Sequence, residues 1–385
     1  MAGFKFQKVQ RMRFSRILST LAVIVNGLLV LTSPEQATAQ STYDDIWTFA
    51  EWYRNDENET LQAVLFRGRF QYDFAAVDAD QGTRTEWNVR RMRLGVRTQW
   101  FSQLTVHVEA DFNPQERDPF YKRLTDTYVE WAASDVLALT VGKQGVPFTM
   151  DGSTSSKELL TIDRSNLANN IWFPQEYMPG VSVSGGLSKW VYQVGVYSGG
   201  SANREFSGFA GSAFGHLSIG YDFSEALRVE DALLSGNYVY QDPDALNTFT
   251  RELQHVASVN FRFEADGWGF LSDFSSGLGY LGQSDLWSVM TMPFFNVTPS
   301  FQVVGRHTYL RSEDANGVRL ARYENQATAG RGDRYNEFYV GVNYYFYGHK
   351  LKLQSGLQFG HMNDSAADGG EYSGVASTTG LRVSW

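Results

Sequence analysis

The sequence lacks cysteine altogether, and proline accounts for only 9 of its 385 residues. Without cysteine, a disulfide scaffold, a thiolate metal site and a cysteine nucleophile are excluded. Beyond residue 39 no run of 18 apolar residues occurs, which excludes a transmembrane helix from that part of the chain. The six histidines are scattered, and neither H-E-x-x-H nor G-x-S-x-G is present. We therefore expect no catalytic centre of those types, no bound metal and no cofactor.

The first 39 residues follow the pattern of a secretory signal peptide. Basic residues precede an apolar stretch from Ile17 to Leu31, and the small residues Ala37-Thr38-Ala39 follow it. This stretch is shorter than the ~20 residues needed to span a bilayer. We therefore predict that residues 1–39 are a cleaved signal peptide. Five of the 33 basic and one of the 42 acidic residues lie in it, so the exported part would carry a formal charge of −13 and is not expected to bind nucleic acid.

Aromatic residues (15%) and glycine (36 residues) are plentiful, a composition that favours strands over helices. From residue 61 onward, apolar and polar residues alternate with period two in sixteen segments. The segments are 61–74, 86–101, 103–113, 122–133, 136–144, 179–187, 189–198, 212–223, 227–240, 255–265, 267–280, 286–295, 300–311, 335–347, 350–360 and 372–385. Their length and alternation are typical of tilted strands with one face in lipid and the other in water.

The connections between these segments alternate between short and long. Ser224-Glu225 is one of the short connections, whereas residues 75–85 and 312–334 form long ones. Outer-membrane barrels have short periplasmic turns and long extracellular loops. We therefore predict an all-β fold in which residues 61–385 form a 16-stranded antiparallel transmembrane β-barrel, after an N-terminal periplasmic segment at residues 40–60. A secreted protein made of two packed sheets is the alternative architecture.

The connection over residues 145–178 is the longest, and its composition is that of a buried segment. Apolar residues such as Phe148 and Trp172 are interspersed with few charges, Lys157 and Asp163 among them. Loops of this length in compact folds are usually functional or disordered, and this one is too apolar to extend into water. We expect it to fold into the barrel as a constriction loop. A surface loop that covers a trimer contact is the alternative.

One predicted strand has an apolar face and a face lined with arginine. On one side of residues 88–100 lie Arg91, Arg93 and Arg97, and on the other lie Met92, Leu94 and Val96. The neighbouring strand places Arg67 and Arg69 on the corresponding face, so the hairpin would carry an arginine patch on the lumen wall. Arginine-lined walls are typical of anion-selective pores.

Acidic residues share this lumen. Glu109 and Asp111 on segment 103–113 face the same way, and Asp163 lies on the inward loop. The arginines therefore either pair with these carboxylates and brace the wall, or remain free for a passing anion, and both interpretations stay open. Arg90 is out of phase with the other arginines, and we expect it to reach the lipid headgroups.

Four runs within residues 90–187 resemble the phosphate-selective porin O and P family: RRMRLGVRTQWFSQLTVHVEADFN, DTYVEW, LTVGKQGVPFTMDGSTSSKELLTIDRS and MPGVSVSGGL. The resemblance implies a trimeric outer-membrane channel of 16 strands with an arginine-lined eyelet shaped by the third loop. The solute-facing residues that it implies are Arg67, Arg69, Arg91, Arg93, Arg97 and Arg164. Members that concentrate phosphate also carry lysines near the eyelet, whereas the third loop has Lys157 alone. The chain ends in Trp385 where barrel-assembly signals usually end in Phe, and we expect the assembly machinery to recognise it.

These observations predict an outer-membrane porin for passive diffusion of small solutes, and not an enzyme. We expect a preference for small inorganic anions, with phosphate or polyphosphate as candidates, and a homotrimer surrounded by outer-membrane lipid. Two alternatives stay open, a general or sugar diffusion porin and a barrel hydrolase. The one suggestive pair for a hydrolase is His107 near Glu109, and we interpret it more simply as a hydrogen-bonded lumen histidine.

Overall fold

The computed structural model describes residues 36–115, 118–172, 176–200, 205–206, 213–247 and 249–385. The chain divides into two compact units, residues 1–48 and residues 49–385. The first unit contributes helix α1 (Gln36–Trp47). The predicted signal peptide lies almost entirely outside the described residues and stays a prediction, as does the predicted division of the chain at residues 39 and 60.

The second unit consists mainly of strands. They are β1 (Glu51–Arg54), β2 (Leu61–Ala79), β3 (Gly82–Trp100), β4 (Leu104–Phe112), β5 (Tyr121–Ser134), β6 (Leu137–Gly145), β7 (Tyr177–Leu187), β8 (Trp190–Ser198), β9 (Ala213–Asp222), β10 (Asp231–Gln241), β11 (Leu253–Ala265), β12 (Trp268–Gly279), β13 (Leu286–Thr298), β14 (Phe301–Ser312), β15 (Val318–Arg319), β16 (Arg331–Gly332), β17 (Arg334–Tyr347), β18 (Leu351–Asn363) and β19 (Tyr372–Ser384). The short helices are α2 (Met150–Ser153), α3 (Asn166–Ile171) and α4 (Ser224–Leu227), with 3₁₀ turns at Thr48–Ala50 and Glu324–Gln326.

Sixteen of these strands form one closed antiparallel barrel. Strands β2 to β14 pair consecutively, β14 pairs with β17, and β17, β18 and β19 follow in order. The last strand then pairs with the first, from Ser384↔Arg69 to Gly374↔Ala79, and this pairing closes the barrel. Closure leaves no unpaired strand edge, which is the condition for a β-structure within a bilayer. The predicted 16-stranded fold is confirmed.

Strand β1 was not predicted, and it lies in line with the end of β19. The pairing between β19 and β2 ends where Gly68 and Trp385 exchange backbone hydrogen bonds of 3.2 and 3.1 Å. Below that point β1 pairs with residues 63–65 of β2. The N-terminal strand therefore covers the part of the β2 edge that β19 does not reach.

The period-two pattern separates the two faces of the barrel wall as predicted. In β2, Arg69, Gln71 and Asp73 are buried, whereas Tyr72 between them is exposed. Large apolar side chains such as Val108 and Phe338 are also exposed on the outside. Exposed apolar residues in this number are expected where lipid, and not water, is the surrounding solvent.

Two predicted connections differ from the structure. The first long connection, residues 75–85, is a tight turn at residues 80–81, because pairing continues to Ala79↔Gly82. The predicted two-residue turn at Ser224-Glu225 is longer, since the chain forms helix α4 there and β10 begins only at Asp231. The alternation of apolar and polar residues misplaced the ends of these strands by a few residues. The ends of secondary-structure elements are the positions that a sequence pattern defines least well.

The interior of the barrel is filled in part by loops. The third loop, residues 146–176 between β6 and β7, contributes Phe148, Leu167 and Ile171, which are fully buried. The connection between β14 and β17, residues 313–333 and hereafter the seventh loop, contributes Val318 and Leu320 to the same apolar cluster. The seventh loop was not predicted to fold inward.

Candidate functional site

Polar side chains of the barrel wall hold the backbone of the third loop. Asp273 on β12 accepts a 2.6 Å hydrogen bond from the Met150 N–H. On the other side, Lys352 on β18 donates to the Leu159 carbonyl oxygen at 2.7 Å, and Asn343 on β17 donates to the Leu160 carbonyl oxygen at 2.9 Å. Buried backbone groups need such partners, so these contacts place the loop across the interior.

Helix α3 of the third loop also contacts the seventh loop. The side chains of Asn166 and Asn170 donate to the Arg319 carbonyl oxygen at 3.0 and 2.9 Å, and Asn170 in turn accepts from the Arg319 N–H at 2.8 Å. Asn169 donates to the Leu320 carbonyl oxygen at 3.1 Å. The sequence shows three asparagines at 166, 169 and 170, but nothing in it indicates that the seventh loop is their partner.

Glu176, at the end of the third loop, binds four guanidinium groups. Its Oε2 lies 3.0 Å from Arg93 Nη2 and 3.3 Å from Arg123 Nη2. Its Oε1 lies 3.1 Å from Arg164 Nη1 and 3.4 Å from Arg91 Nη2. Sequence reasoning missed Glu176, because an acidic residue next to β7 gives no sign of contacts with residues more than 80 positions away. This carboxylate joins the loop to strands β3 and β5.

A second group of ion pairs surrounds Glu109 on β4. Arg69 Nη2 lies 3.4 Å from a Glu109 carboxylate oxygen, and Arg69 also donates to Ser156 of the third loop at 2.6 Å. Arg93 lies between the two groups, with its Nε 3.7 Å from Asp111 and its guanidinium 5.0 Å from the centre of the ring of Tyr177. Of the predicted pore-lining arginines, Arg69 and Arg93 are therefore braced by carboxylates.

Arg67 and Arg97 differ from the other arginines of this wall. Among the described residues, no carboxylate lies within 4.0 Å of either guanidinium group, and neither donates a hydrogen bond. Arg97 is exposed and Arg67 is half-buried. The register places them close together, since Leu65 pairs with Arg97 and Arg67 with Gly95. The charge of these two arginines is therefore not neutralised by a carboxylate of the described residues within 4.0 Å.

Lys157 and Arg164, the predicted basic residues of the third loop, both donate hydrogen bonds to backbone oxygens. Lys157 Nζ donates to the backbone oxygen of Trp385 at 3.0 Å. Arg164 donates to the backbone oxygens of Asp151 and Thr154 at 2.7 and 3.1 Å, in addition to its pair with Glu176. Both cations are therefore engaged in holding the loop.

Arg90 does not reach the lipid headgroups, so that prediction was wrong. The register shifts between Gln71 and Tyr72, and the resulting β-bulge turns Arg90 to the same face as Arg91. Its Nε donates to Asp163 of the third loop at 3.2 Å. Asp163, predicted as a constriction acid, is thus paired with an arginine that the alternation pattern had assigned to the outer face.

Two arginines outside the predicted set lie on other strands of the wall, β14 and β19. Arg306 on β14 is buried, with its Nε 2.8 Å from Glu337 and its Nη1 2.9 Å from the hydroxyl of Thr161 in the third loop. Arg382 on β19 pairs with Asp73 and donates to the Ile162 carbonyl oxygen at 3.4 Å. The loop is therefore also tied to arginines of β14 and β19.

His107 forms no hydrogen bond with any residue that the structure describes, contrary to the prediction. Its Nε2 is buried without a partner, and its ring lies edge-on to Tyr128 with centroids 5.5 Å apart. A His–Asp/Glu relay requires a hydrogen bond between the two side chains, and none joins His107 to Glu109. Over the described ranges no group of histidine, aspartate and glutamate side chains is arranged to hold a metal ion. No helix in the described part of the chain is long and apolar enough to cross a membrane.

A closed barrel of 16 antiparallel strands with a long connection across its interior is the fold of the porins. Solved structures with this fold include an anion-selective porin from Comamonas acidovorans, at 13% identity and a TM-score of 0.60, where the match covers 84% of this chain and 99% of that one. Another is the outer-membrane channel DcaP of Acinetobacter baumannii, at 13% identity, a TM-score of 0.57 and coverage of 86% and 99%. The trimer form of OmpT from Vibrio cholerae matches at 12% identity, a TM-score of 0.51 and coverage of 84% and 99%.

The family resemblance rests on sequence as well. Residues 64–215 match the family of phosphate-selective porins O and P, which confirms the resemblance predicted from the motifs of residues 90–187. The matched region includes strands β3 to β8 and the whole third loop. No curated protein is significantly similar in sequence to this chain.

Proposed function

We propose that this protein is an outer-membrane porin for the passive diffusion of small solutes, with a preference for anions. The closed barrel, the family match and the shared fold with an anion-selective porin support the channel. In this placement the end of the barrel that carries the third and seventh loops faces the exterior, and the opposite end faces the periplasm. The third loop narrows the lumen, because it is tied to β12 through the Met150 N–H and, on the other side of the barrel, to β5 through Glu176.

The observation that carries the anion preference is the contrast between two kinds of arginine. Arg69, Arg91, Arg93 and Arg164 are paired with carboxylates, whereas Arg67 and Arg97 have no carboxylate within 4.0 Å in the part of the chain that the structure describes. A guanidinium group stays protonated at every working pH. An unpaired arginine on a channel wall attracts anions and repels cations, so Arg67 and Arg97 form the selective wall and the paired arginines brace it.

Phosphate and polyphosphate are the candidate solutes. The planar fork of a guanidinium group binds phosphate oxygens in pairs, and the family match is to phosphate-selective porins. The protein inserted in a planar bilayer under a salt gradient should give a reversal potential of anion sign, and added phosphate should block the current more than added sulfate. A potential of cation sign would exclude the anion preference. Equal block by phosphate and sulfate would support the alternative of a general diffusion porin.

Export and assembly are part of the same proposal. Residues 1–39 direct export, and Trp385 at the end of β19 is the mark for the barrel-assembly machinery. We propose a homotrimer, for which the fold shared with the trimer form of OmpT is the support. An unheated sample on a denaturing gel should migrate as a trimer and convert to monomer on boiling.

A further inference from the structure

Two arginines lie directly opposite each other on the outer face of the barrel, at the end of the strands that joins the long loops. Arg311 on β14 pairs in register with Arg334 on β17. Arg306 and Glu337 on the same two strands face the interior, so the alternation places Arg311 and Arg334 outside, and both are exposed. Like charges directly opposite in an antiparallel pair are destabilising, unless an anion lies between them.

No carboxylate of the described residues neutralises this pair within 4.0 Å. Arg334 Nε donates only to the side-chain oxygen of Asn363, at 3.4 Å. Two acids of the nearby loops, Asp333 and Asp364, are engaged elsewhere, whereas Asp285 and Glu313 lie near Arg311 without reaching it within 4.0 Å. Asp333 accepts from the Ser365 N–H at 2.8 Å, and backbone N–H groups, that of Gly370 foremost, lower the pKa of Asp364.

A groove with apolar and charged residues lies beside Arg311. Ala257, Leu278 and Trp287 form its apolar part, and Arg311, Asp285 and Glu313 line it as well. Its volume of about 490 Å³ is within the roughly 300–1,000 Å³ of small-molecule sites. Trp287 pairs in register with Arg311, and its ring lies 5.2 Å from that of Tyr309 on the same outer face. Outward aromatic side chains of this kind mark the boundary between lipid and water.

We propose that this outer face binds a membrane lipid with a phosphate-bearing headgroup, with the phosphate between Arg311 and Arg334 and an acyl chain in the groove. The phosphate supplies the negative charge that the two guanidinium groups lack. The apolar residues of the groove supply a surface for the acyl chain directly beside it. The site depends on the membrane placement proposed above and is independent of anion passage, because neither arginine faces the lumen.

The test uses detergent-purified protein and two lipids with identical acyl chains, phosphatidic acid and diacylglycerol. Native mass spectrometry should show that phosphatidic acid stays bound and diacylglycerol does not. The double variant Arg311→Gln/Arg334→Gln should retain at least fivefold less phosphatidic acid. The control is Arg228→Gln, which removes an exposed arginine from the opposite end of the barrel and should bind like the wild type. Unchanged retention by the double variant overturns the proposal.

Two further arms separate the other possible occupants. Inorganic phosphate at the same concentration should not displace phosphatidic acid, and Ala257→Trp, which fills the groove, should weaken lipid retention while Arg311 and Arg334 remain. Full displacement by inorganic phosphate would show a simple anion site and overturn the lipid. The variant Asn336→Cys carries the only cysteine of the chain. It cross-links to a second copy only if this face is a protomer interface. Such a cross-link would also overturn the proposal. Conductance of all these variants should stay anion-selective, so a failure here is distinct from a failure of the channel proposal.

Discussion

Glu176 Oε2 lies 3.0 Å from Arg93 Nη2, although one residue ends the third loop and the other lies in the middle of β3. Arg93 is 1% exposed, so this is an ion pair removed from water. The same carboxylate holds Arg91, Arg123 and Arg164. Glu176 thus reduces the repulsion among four cations and fixes the loop to the wall.

Replacing Glu176 by Gln should therefore loosen the third loop. The substitution leaves buried guanidinium groups without their shared counter-charge, and breaking a buried pair in this way costs about 3–5 kcal/mol. We expect faster hydrogen exchange at residues 150–172 and a lower midpoint of thermal unfolding. The released positive charge should also increase the anion preference in bilayer recordings.

The matched control for this change is Glu225→Gln. Glu225 forms an ion pair with Lys189 at 2.9 Å on an exposed turn, and exposed pairs contribute about 0–1 kcal/mol. The midpoint of thermal unfolding of Glu225→Gln and its rates of hydrogen exchange should match those of the wild type. Equal behaviour of Glu176→Gln and Glu225→Gln would mean that Glu176 does not hold the loop.

Arg93→Glu and Arg97→Glu should affect different properties, stability in the first case and selectivity in the second, although the two residues share one face of β3. Arg97 has no carboxylate partner, so its replacement should change selectivity and leave stability nearly unchanged. A unit charge about 4 Å from a passing ion contributes about 1 kcal/mol in water. The two-unit change at Arg97 shifts the energies of a cation and an anion at that distance by about 2 kcal/mol each in opposite directions, so it should raise the ratio of cation to anion permeability by up to roughly a thousandfold.

Arg93→Glu should instead lower the midpoint of thermal unfolding, because it places a fourth carboxylate beside Glu109, Asp111 and Glu176. The two variants are compared by reversal potential and by the temperature at which the barrel unfolds on a heated gel. Arg228→Glu, on an exposed turn at the end of the barrel, serves as the charge-matched control. If Arg97→Glu conducts like the wild type, the unpaired arginines do not set the selectivity.

The contrast between these arginines also shows what the sequence can predict. Alternation is a local property, so the strands and the inward direction of Arg69, Arg91 and Arg93 could be read directly from it. Whether an inward arginine is paired depends on residues far along the chain, such as Glu176, and the pattern carries no information on those contacts. Arg90 was misplaced for a related reason, since the β-bulge that turns it inward exists only in the register between β2 and β3.

The seventh loop was missed because its buried residues have no regular spacing. Val318, Leu320 and Tyr323 are buried, yet they follow neither the period of a strand nor that of a helix. Its anchor is a polar contact: the hydroxyl of Tyr335 on β17 lies 3.0 Å from Glu324 of the loop and 3.1 Å from Glu337 of the wall. The sequence gives no indication that the carboxylates of Glu324 and Glu337 share a hydroxyl group.

This anchor predicts that docking of the seventh loop depends on pH. One tyrosine hydroxyl has a single proton and cannot donate to both carboxylates, and Glu337 is already paired with Arg306 at 2.8 Å. Glu324 is therefore the group that holds a further proton. Burial, and next the Glu337 carboxylate, raise the pKa of Glu324 from 4.5 to about 7.

Because the folded protein keeps this proton at a pH where the unfolded chain has lost it, stability should fall as pH rises from about 4.5 to about 7. Hydrogen exchange at residues 318–328 should accelerate over the same range. In Glu324→Gln the amide replaces the protonated carboxyl and still accepts from Gln358, which donates to it at 2.8 Å. That variant should dock its loop at all pH values, whereas Glu337→Gln should weaken docking throughout, because Arg306 loses its buried partner. An unchanged pH dependence in Glu324→Gln would assign the proton to another group.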